Sequence, residues 1–169
     1  MMMIDIRLLE ADDAATYKNL RLEALLNSPA AFPASYDEVQ ADATEKYKVR
    51  FQSENIHTFG AFEADDLVGV VTLEQETKKK TAHRTIIWGL YVTPYNRESG
   101  TGKKLMHTAI DYAKSLEGVE QIFLSVIIKR TTSESLFYAM GFVPLGRHRR
   151  AVKLGGKYYD EEYMIMRIS

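Results

Sequence analysis

Residues 88–106 read Trp-Gly-Leu-Tyr-Val-Thr-Pro-Tyr-Asn-Arg-Glu-Ser-Gly-Thr-Gly-Lys-Lys-Leu-Met, and few folds accommodate such a run. An apolar strand enters a Pro-broken turn, the turn closes on Arg97-x-x-Gly100-x-Gly102, and a helix follows. Leu105, Ala109, Tyr112, Ala113 and Leu116 recur at helical spacing, so one stripe of this helix packs on a sheet while its N-terminus stays open. Small residues at that end present several unpaired backbone N–H groups to one point, where the helix dipole already favours negative charge. Glycine at 100 and 102 lets an anion approach the backbone and reaches dihedrals closed to other residues. An ordinary strand, turn and helix whose glycines only shape the turn is the alternative, so residues beyond the glycines must decide.

Two familiar phosphate-binding turns fail on residue type. A dinucleotide fingerprint needs a third glycine where this chain has Leu105, and a P-loop needs glycine at Arg97 and Ser or Thr at Lys104. By contrast, Leu-Tyr-Val-x-Pro-x-x-Arg-x-x-Gly-x-Gly at residues 90–102 resembles the acetyl-CoA signature of the GNAT family of N-acetyltransferases. The strand Ile122 to Ile127, followed by Ser135-Leu136-Phe137-Tyr138-Ala139-Met140-Gly141-Phe142, is similar to the second half of that pattern and stands at a matching distance. The resemblance covers essentially the whole chain in order of elements. It implies an α/β (α+β) fold in a single domain, residues 1–169, with a central mixed, mostly antiparallel sheet of about seven strands, a splayed fourth and fifth strand pair and four helices.

Composition narrows the function classes. At 169 residues the chain is the size of one domain and long enough to bury about 70% of its unfolded surface. A net charge of -1 and a pI near 6.4 argue against general affinity for nucleic acid or an anionic membrane. The absence of cysteine excludes disulfides, thiolate metal sites and cysteine nucleophiles. The N-terminal run meets Asp5 and Arg7 before an apolar stretch can form, and no stretch approaches the ~18 apolar residues of a membrane span. A cytoplasmic protein is the expectation.

Along the chain, Ile4 to Leu9 reads as a strand, and Asp12 as the cap of a helix that ends near Asn27-Ser28-Pro29. Pro29 to Asp42 reads as loop, and about Ala43 to Glu54 as a second helix. Strands are expected at His57 to Glu63 and Leu67 to Gln75 around an Ala64-Asp65-Asp66 turn, and at Arg84 to Val92, apolar on both faces. Lys78-Lys79-Lys80 forms a hairpin tip. A short helix near Thr132 to Met140 precedes a last antiparallel pair, Val143 to Arg149 and Tyr163 to Ile168, with Gly155-Gly156 as a turn between.

The resemblance implies acetyl-CoA as cofactor, bound by the backbone of Leu90, Tyr91 and Val92 and by the turn Arg97, Glu98, Ser99, Gly100, Thr101, Gly102 and Lys103. A strand bulge there would free an N–H to stabilise the charge that grows on the thioester oxygen. Trp88 and Leu90 side chains are expected to pack in the core. Family members usually carry Tyr four residues before the glycine of the last helix, as proton donor to the departing thiolate; this chain has Phe137 there and Tyr138 one step on. Tyr138 is the catalytic candidate, offset by about 100° around the helix. The asparagine that commonly caps that helix is here Arg130, beside Thr131 and Thr132.

Candidates for the base are Glu74 and Glu76, or a water chain reaching one of them. Asp160-Glu161-Glu162 could attract a cationic amine or simply form a soluble loop before the last strand. Lys78 to Lys80 could meet cofactor phosphates, and Arg147-His148-Arg149-Arg150 is a basic cluster with no assigned use. His57, His83, His107 and His148 show no ligand spacing, so no metal is expected. The resulting expectation is an acetyl-CoA-dependent N-acetyltransferase that acts on a small-molecule or peptide amine by direct attack in a ternary complex. No nucleic-acid or membrane partner is expected, and the resemblance implies pairing of two copies through C-terminal strands. A non-catalytic acyl-CoA-binding module and a nucleotide-binding protein of other chemistry are the alternatives.

Overall fold

The computed structural model describes residues 3–129 and 134–169. Strands β1 (Ile4–Leu8), β2 (Ile56–Glu63), β3 (Asp66–Gln75), β4 (Arg84–Val92), β5 (Gln121–Ile127), β6 (Val143–Leu154) and β7 (Lys157–Arg167) form one sheet in the order β1-β2-β3-β4-β5-β7-β6. Neighbours run antiparallel except for β4 and β5, which are parallel. Helices α1 (Ala14–Asn27), α2 (Tyr36–Ala41), α3 (Thr44–Phe51), α4 (Thr101–Ser115) and α5 (Glu134–Ala139) surround it.

The helix beyond the expected four is α2, in the segment read from sequence as loop. Ser35 starts it: its side chain accepts the Glu38 N–H at 3.2 Å, and its hydroxyl donates to the Glu38 carboxylate at 2.8 Å. Ser-x-x-Glu is a helix-start signal that the two prolines nearby obscured. Asp12 does not cap α1. A 3-10 turn, Ala11–Asp13, precedes that helix, and the Asp13 carboxylate accepts the Glu10 N–H at 2.7 Å and an Arg7 nitrogen at 2.8 Å. Arg7 holds the Asp13 carboxyl below its ordinary range.

Core packing follows the two periodicities. Alternate residues of β3 face opposite sides of the sheet, so Val70 joins α1 and α3 in one cluster while Val71 and Leu73 join α4 in another. The α4 stripe is fully buried at Leu105, Met106, Ala109 and Ala113. Truncating Leu105 or Met106 to Ala would cost about 2–5 kcal/mol each, which fixes the helix against β2, β3 and β4.

Two strand expectations change. β4 is buried at Ile87, Tyr91 and Val92 but only half-buried from Trp88 to Leu90, because the sheet opens beside it there. The last hairpin is longer than expected, since Gly155 and Gly156 both take positive φ (56° and 77°) and let pairing run up to Leu154↔Lys157. Asp160-Glu161-Glu162 therefore lies within β7 and is no loop. The helix near Thr132 begins, among the described residues, at Glu134; Arg130, Thr131 and Thr132 lie outside them. No helix among the described residues is long and apolar enough to cross a membrane.

Candidate functional site

The sheet splits between its two parallel strands. β4 and β5 pair only at Arg84↔Gln121, Thr85↔Ile122 and Ile86↔Phe123, and beyond these residues they part. β4 also bulges at that point: Trp88 pairs with Thr72 and Tyr91 with Val70, so three steps on β4 match two on β3 and Gly89-Leu90 leaves the ladder. Gly89 adopts φ 72°, a left-handed conformation that glycine takes at little cost. A cleft of about 1150 Å³ fills the gap between the parted strands.

One end of the cleft is the turn before α4. Gly100 is the N-cap residue, with φ 86°, and no side chain caps the helix. The first backbone bond closing α4 is Lys104 N–H to Gly100 C=O at 3.0 Å; among the described residues the N–H groups of Thr101, Gly102 and Lys103 meet no backbone acceptor. Nothing stands within 4 Å of where a Cβ on Gly100 would lie, so the space beside the start of the helix is open. That arrangement fits an anion such as a pyrophosphate.

Several bonds hold the turn in shape. Arg97 Nε donates to the Val92 carbonyl at 2.9 Å, the Ser99 hydroxyl donates to the Asn96 carbonyl at 2.6 Å, and Ser99 Oγ lies 2.9 Å from Thr101 Oγ1. Asn96, buried, receives the Thr93 hydroxyl at 2.9 Å and donates to Glu63 at 3.0 Å, which ties the turn to the end of β2. Glu98 takes φ 63°, rare for a residue with a Cβ. Of the residues expected from sequence, Leu90, Tyr91, Val92, Arg97, Glu98, Gly100, Gly102 and Lys103 line the cleft, whereas Ser99 and Thr101 brace the turn from within.

Lys129, just past β5, also lines the cleft, and sequence reasoning missed it. Desolvation, then the nearby positive charge of Arg97, pushes its ammonium pKa down. Four cationic residues, Arg21, Arg97, Lys103 and Lys129, line the cleft that the α4 terminus opens onto. A basic residue directly after an apolar strand was the available signal.

The opposite wall comes from α1 and the chain after it. Tyr91 is buried; its hydroxyl donates to Glu23 at 2.7 Å and accepts from Asn27 at 3.0 Å, which pins α1 to the end of β4. Burial pushes the Tyr91 hydroxyl pKa up, so it stays protonated. Arg21 and Phe32 line the same wall.

Of the acids proposed from sequence, Glu76 is engaged by Arg84 at 2.6 Å, and Glu74 accepts the Trp88 indole N–H at 3.2 Å; neither lines the cleft. Glu161 does. Its carboxylate accepts the Ser125 hydroxyl at 2.9 Å and the Tyr163 hydroxyl at 3.0 Å. Its place in β7, opposite Ile127, carries it to the cleft, which the loop reading of residues 160–162 hid.

α5 keeps the register that its sequence implies. Phe137 is buried and lines the cleft, while Tyr138 is 39% exposed and turns the other way. Its hydroxyl donates to Glu162 at 3.0 Å, and Glu162 also receives Arg147 Nε at 3.0 Å. Desolvation and the bond to Glu162 raise the Tyr138 pKa. Tyr138 is thus not among the residues that line the cleft.

The sequence from residue 6 to residue 163 matches the model of the Acetyltransferase (GNAT) domain. The chain belongs to the GNAT acetyltransferase family. Spermidine N(1)-acetyltransferase of Vibrio cholerae is 24% identical over 99 residues, a match that spans 59% of this chain and only 56% of that protein's length. The fold is that of a GNAT-family acetyltransferase from Streptococcus pneumoniae, with TM-score 0.90, 22% identity and coverage of 98% of this chain and 100% of the other. Salmonella typhimurium yncA, solved with its cofactor acetyl-CoA, superposes with TM-score 0.84 at 17% identity, covering 99% of this chain and 95% of the other. The splayed strands, the β4 bulge and the open α4 terminus are thus parts of a GNAT fold.

Proposed function

We propose that this chain transfers an acetyl group from acetyl-CoA to the primary amine of a small molecule or peptide, by direct attack within a ternary complex. One observation carries the reading: a single cleft joins the uncapped N-terminus of α4 to the β4 bulge where the sheet splits. Acetyl-CoA, when bound, supplies a thioester whose carbonyl carbon bonds to the amine nitrogen as its carbon–sulfur bond breaks, leaving an amide and a thiol.

The chain's residues divide the work by charge and place. The N–H groups of Thr101, Gly102 and Lys103, with the side chains of Arg97, Lys103 and Lys129, hold the phosphates, and the backbone of Leu90, Tyr91 and Val92 holds the pantetheine arm. The bulge at Gly89-Leu90 releases backbone from the β3 ladder and directs a donor at the carbonyl oxygen, where negative charge grows during attack. Glu161 attracts the acceptor's ammonium and receives its proton, directly or through one water. An alkyl ammonium has a pKa of about 10.4 and a thiol about 8.5, so deprotonating the amine is harder than releasing the thiolate. In this proposal the nitrogen releases its second proton to solvent as the amide forms, the thiolate takes a proton from solvent, and Tyr138 braces β7 through Glu162.

The test is thiol release from acetyl-CoA across polyamines including spermidine, amino acids and peptide N-termini, with the wild type and Glu161→Gln. Release with at least one class is expected, and Glu161→Gln should lower kcat/KM about 10²- to 10⁴-fold. Binding of acetyl-CoA without release for any amine would favour an acyl-CoA-binding module instead. An unchanged rate in the variant would remove Glu161 from the mechanism.

A further inference from the structure

Arg21 stands in the cleft wall with no anion of its own. Its Nε is buried without a hydrogen-bond partner, and none of the ion pairs among the described residues includes it. The guanidinium lies 5.7 Å from the centre of the Phe32 ring, and Nη1 comes within 3.8 Å of where a Cβ on Gly89 would stand. Gly89 belongs to the β4 bulge, so this cation sits beside the point at which the sheet opens. Arg50 of α3, which does not line the cleft, lies 5.1 Å from both the Tyr47 and the Trp88 ring centres and likewise enters no ion pair among the described residues. The Glu161 carboxylate enters the same cleft from the other half of the sheet.

A half-buried guanidinium whose Nε is shielded from water and has no acceptor is unfavourable unless a ligand supplies one. Its fork of N–H donors matches the two oxygens of a carboxylate, and stacking on an aromatic ring holds that fork in place. We infer that the acceptor is an amine bearing a carboxylate close to its nitrogen, as a free α-amino acid does, with Arg21 taking the carboxylate and Glu161 the ammonium. The inference rests on the acetyl-transfer reading of this cleft. A polyamine would set a second ammonium against Arg21, which makes it the class of amine this wall disfavours.

The experiment compares L-amino acids with their carboxamides and with spermidine in thiol release from acetyl-CoA, for the wild type, Arg21→Lys and Arg21→Gln. The wild type should prefer free acids over carboxamides by about tenfold or more in kcat/KM, Arg21→Gln should bring the two within about twofold, and Arg21→Lys should keep part of the preference. Acetyl-CoA affinity by calorimetry should be the same in all three. Equal rates for acids and carboxamides in the wild type, or an equal loss for both in Arg21→Gln, would overturn the inference.

A second arm does not depend on turnover: N-acetyl-L-amino acids and their carboxamides are titrated into each protein saturated with CoA. Tighter binding of the acids, lost in Arg21→Gln, supports the carboxylate site even if no amine is acetylated, in which case only the transfer reading falls. Equal binding of acids and carboxamides would overturn the site itself.

Discussion

Gly100 and Gly102 sit two residues apart at the α4 terminus, yet they answer to different constraints. Gly100 has open space for a side chain but holds φ 86°, so any L-residue there strains the backbone. Its substitution would mix folding with binding. Gly102 shows no such φ, and a Cβ would meet only Val92 Cγ2 at 3.7 Å, an ordinary contact. Gly102→Ala should therefore leave the melting temperature unchanged or slightly higher, since alanine is favoured over glycine in a helix by up to about 1 kcal/mol. Acetyl-CoA affinity should fall about 10- to 150-fold, the equivalent of a charge-assisted bond of about 1.5–3 kcal/mol. Calorimetric titration beside a thermal melt reads both quantities, and unchanged affinity would refute the phosphate-cradle assignment.

At the scale of elements, α5 and β7 show why a role cannot be assigned from a residue's neighbourhood in sequence. One helical step separates Phe137, buried in the cleft wall, from Tyr138, whose hydroxyl is bound to Glu162. Tyr138→Phe is expected to change kcat by less than about threefold while lowering the melting temperature, against the 10²- to 10⁴-fold loss typical of an engaged general acid. Steady-state kinetics on the best acceptor decides between them, and a loss beyond about 100-fold would restore the catalytic role first expected. The α4 stripe, the turn at residues 97–103 and the strands β2 to β5 were legible because local periodicity and glycine placement dictate them. Lys129 was not, and Glu161 was legible only as one of the acidic run Asp160-Glu161-Glu162 that could attract an amine, because each reaches the cleft through strand pairing and splay, which no local pattern encodes. Arg21 was hidden for a similar reason: on α1 it is one charge among many until the helix is set beside Gly89. α2 was missed although Ser35 and Glu38 carry a helix-start pair, because Pro29 and Pro33 dominated the reading of that segment.

The whole molecule is two sheet halves, β1 to β4 and β5 to β7, joined by three residue pairs between β4 and β5 and by α4 beneath them. A ligand lying along the split would contact both halves, so binding and stability are coupled. At a concentration 100 times its Kd, a ligand that binds only the folded state adds about 2.7 kcal/mol, which for a chain of this length raises Tm by about 5–10 °C. CoA and acetyl-CoA should both produce such a shift and compete with each other, whereas NAD and ATP at equal concentration should not match them. Hydrogen exchange supplies the spatial check: CoA should slow exchange most at residues 87–92, 101–103 and 124–127, the two lips of the split and the α4 terminus, and little in the distal β1–β2 pair. A larger Tm shift with ATP than with CoA would favour a nucleotide-binding protein of other chemistry. Protection by CoA that spares the split would place the cofactor elsewhere and remove the geometric basis for the transfer reaction.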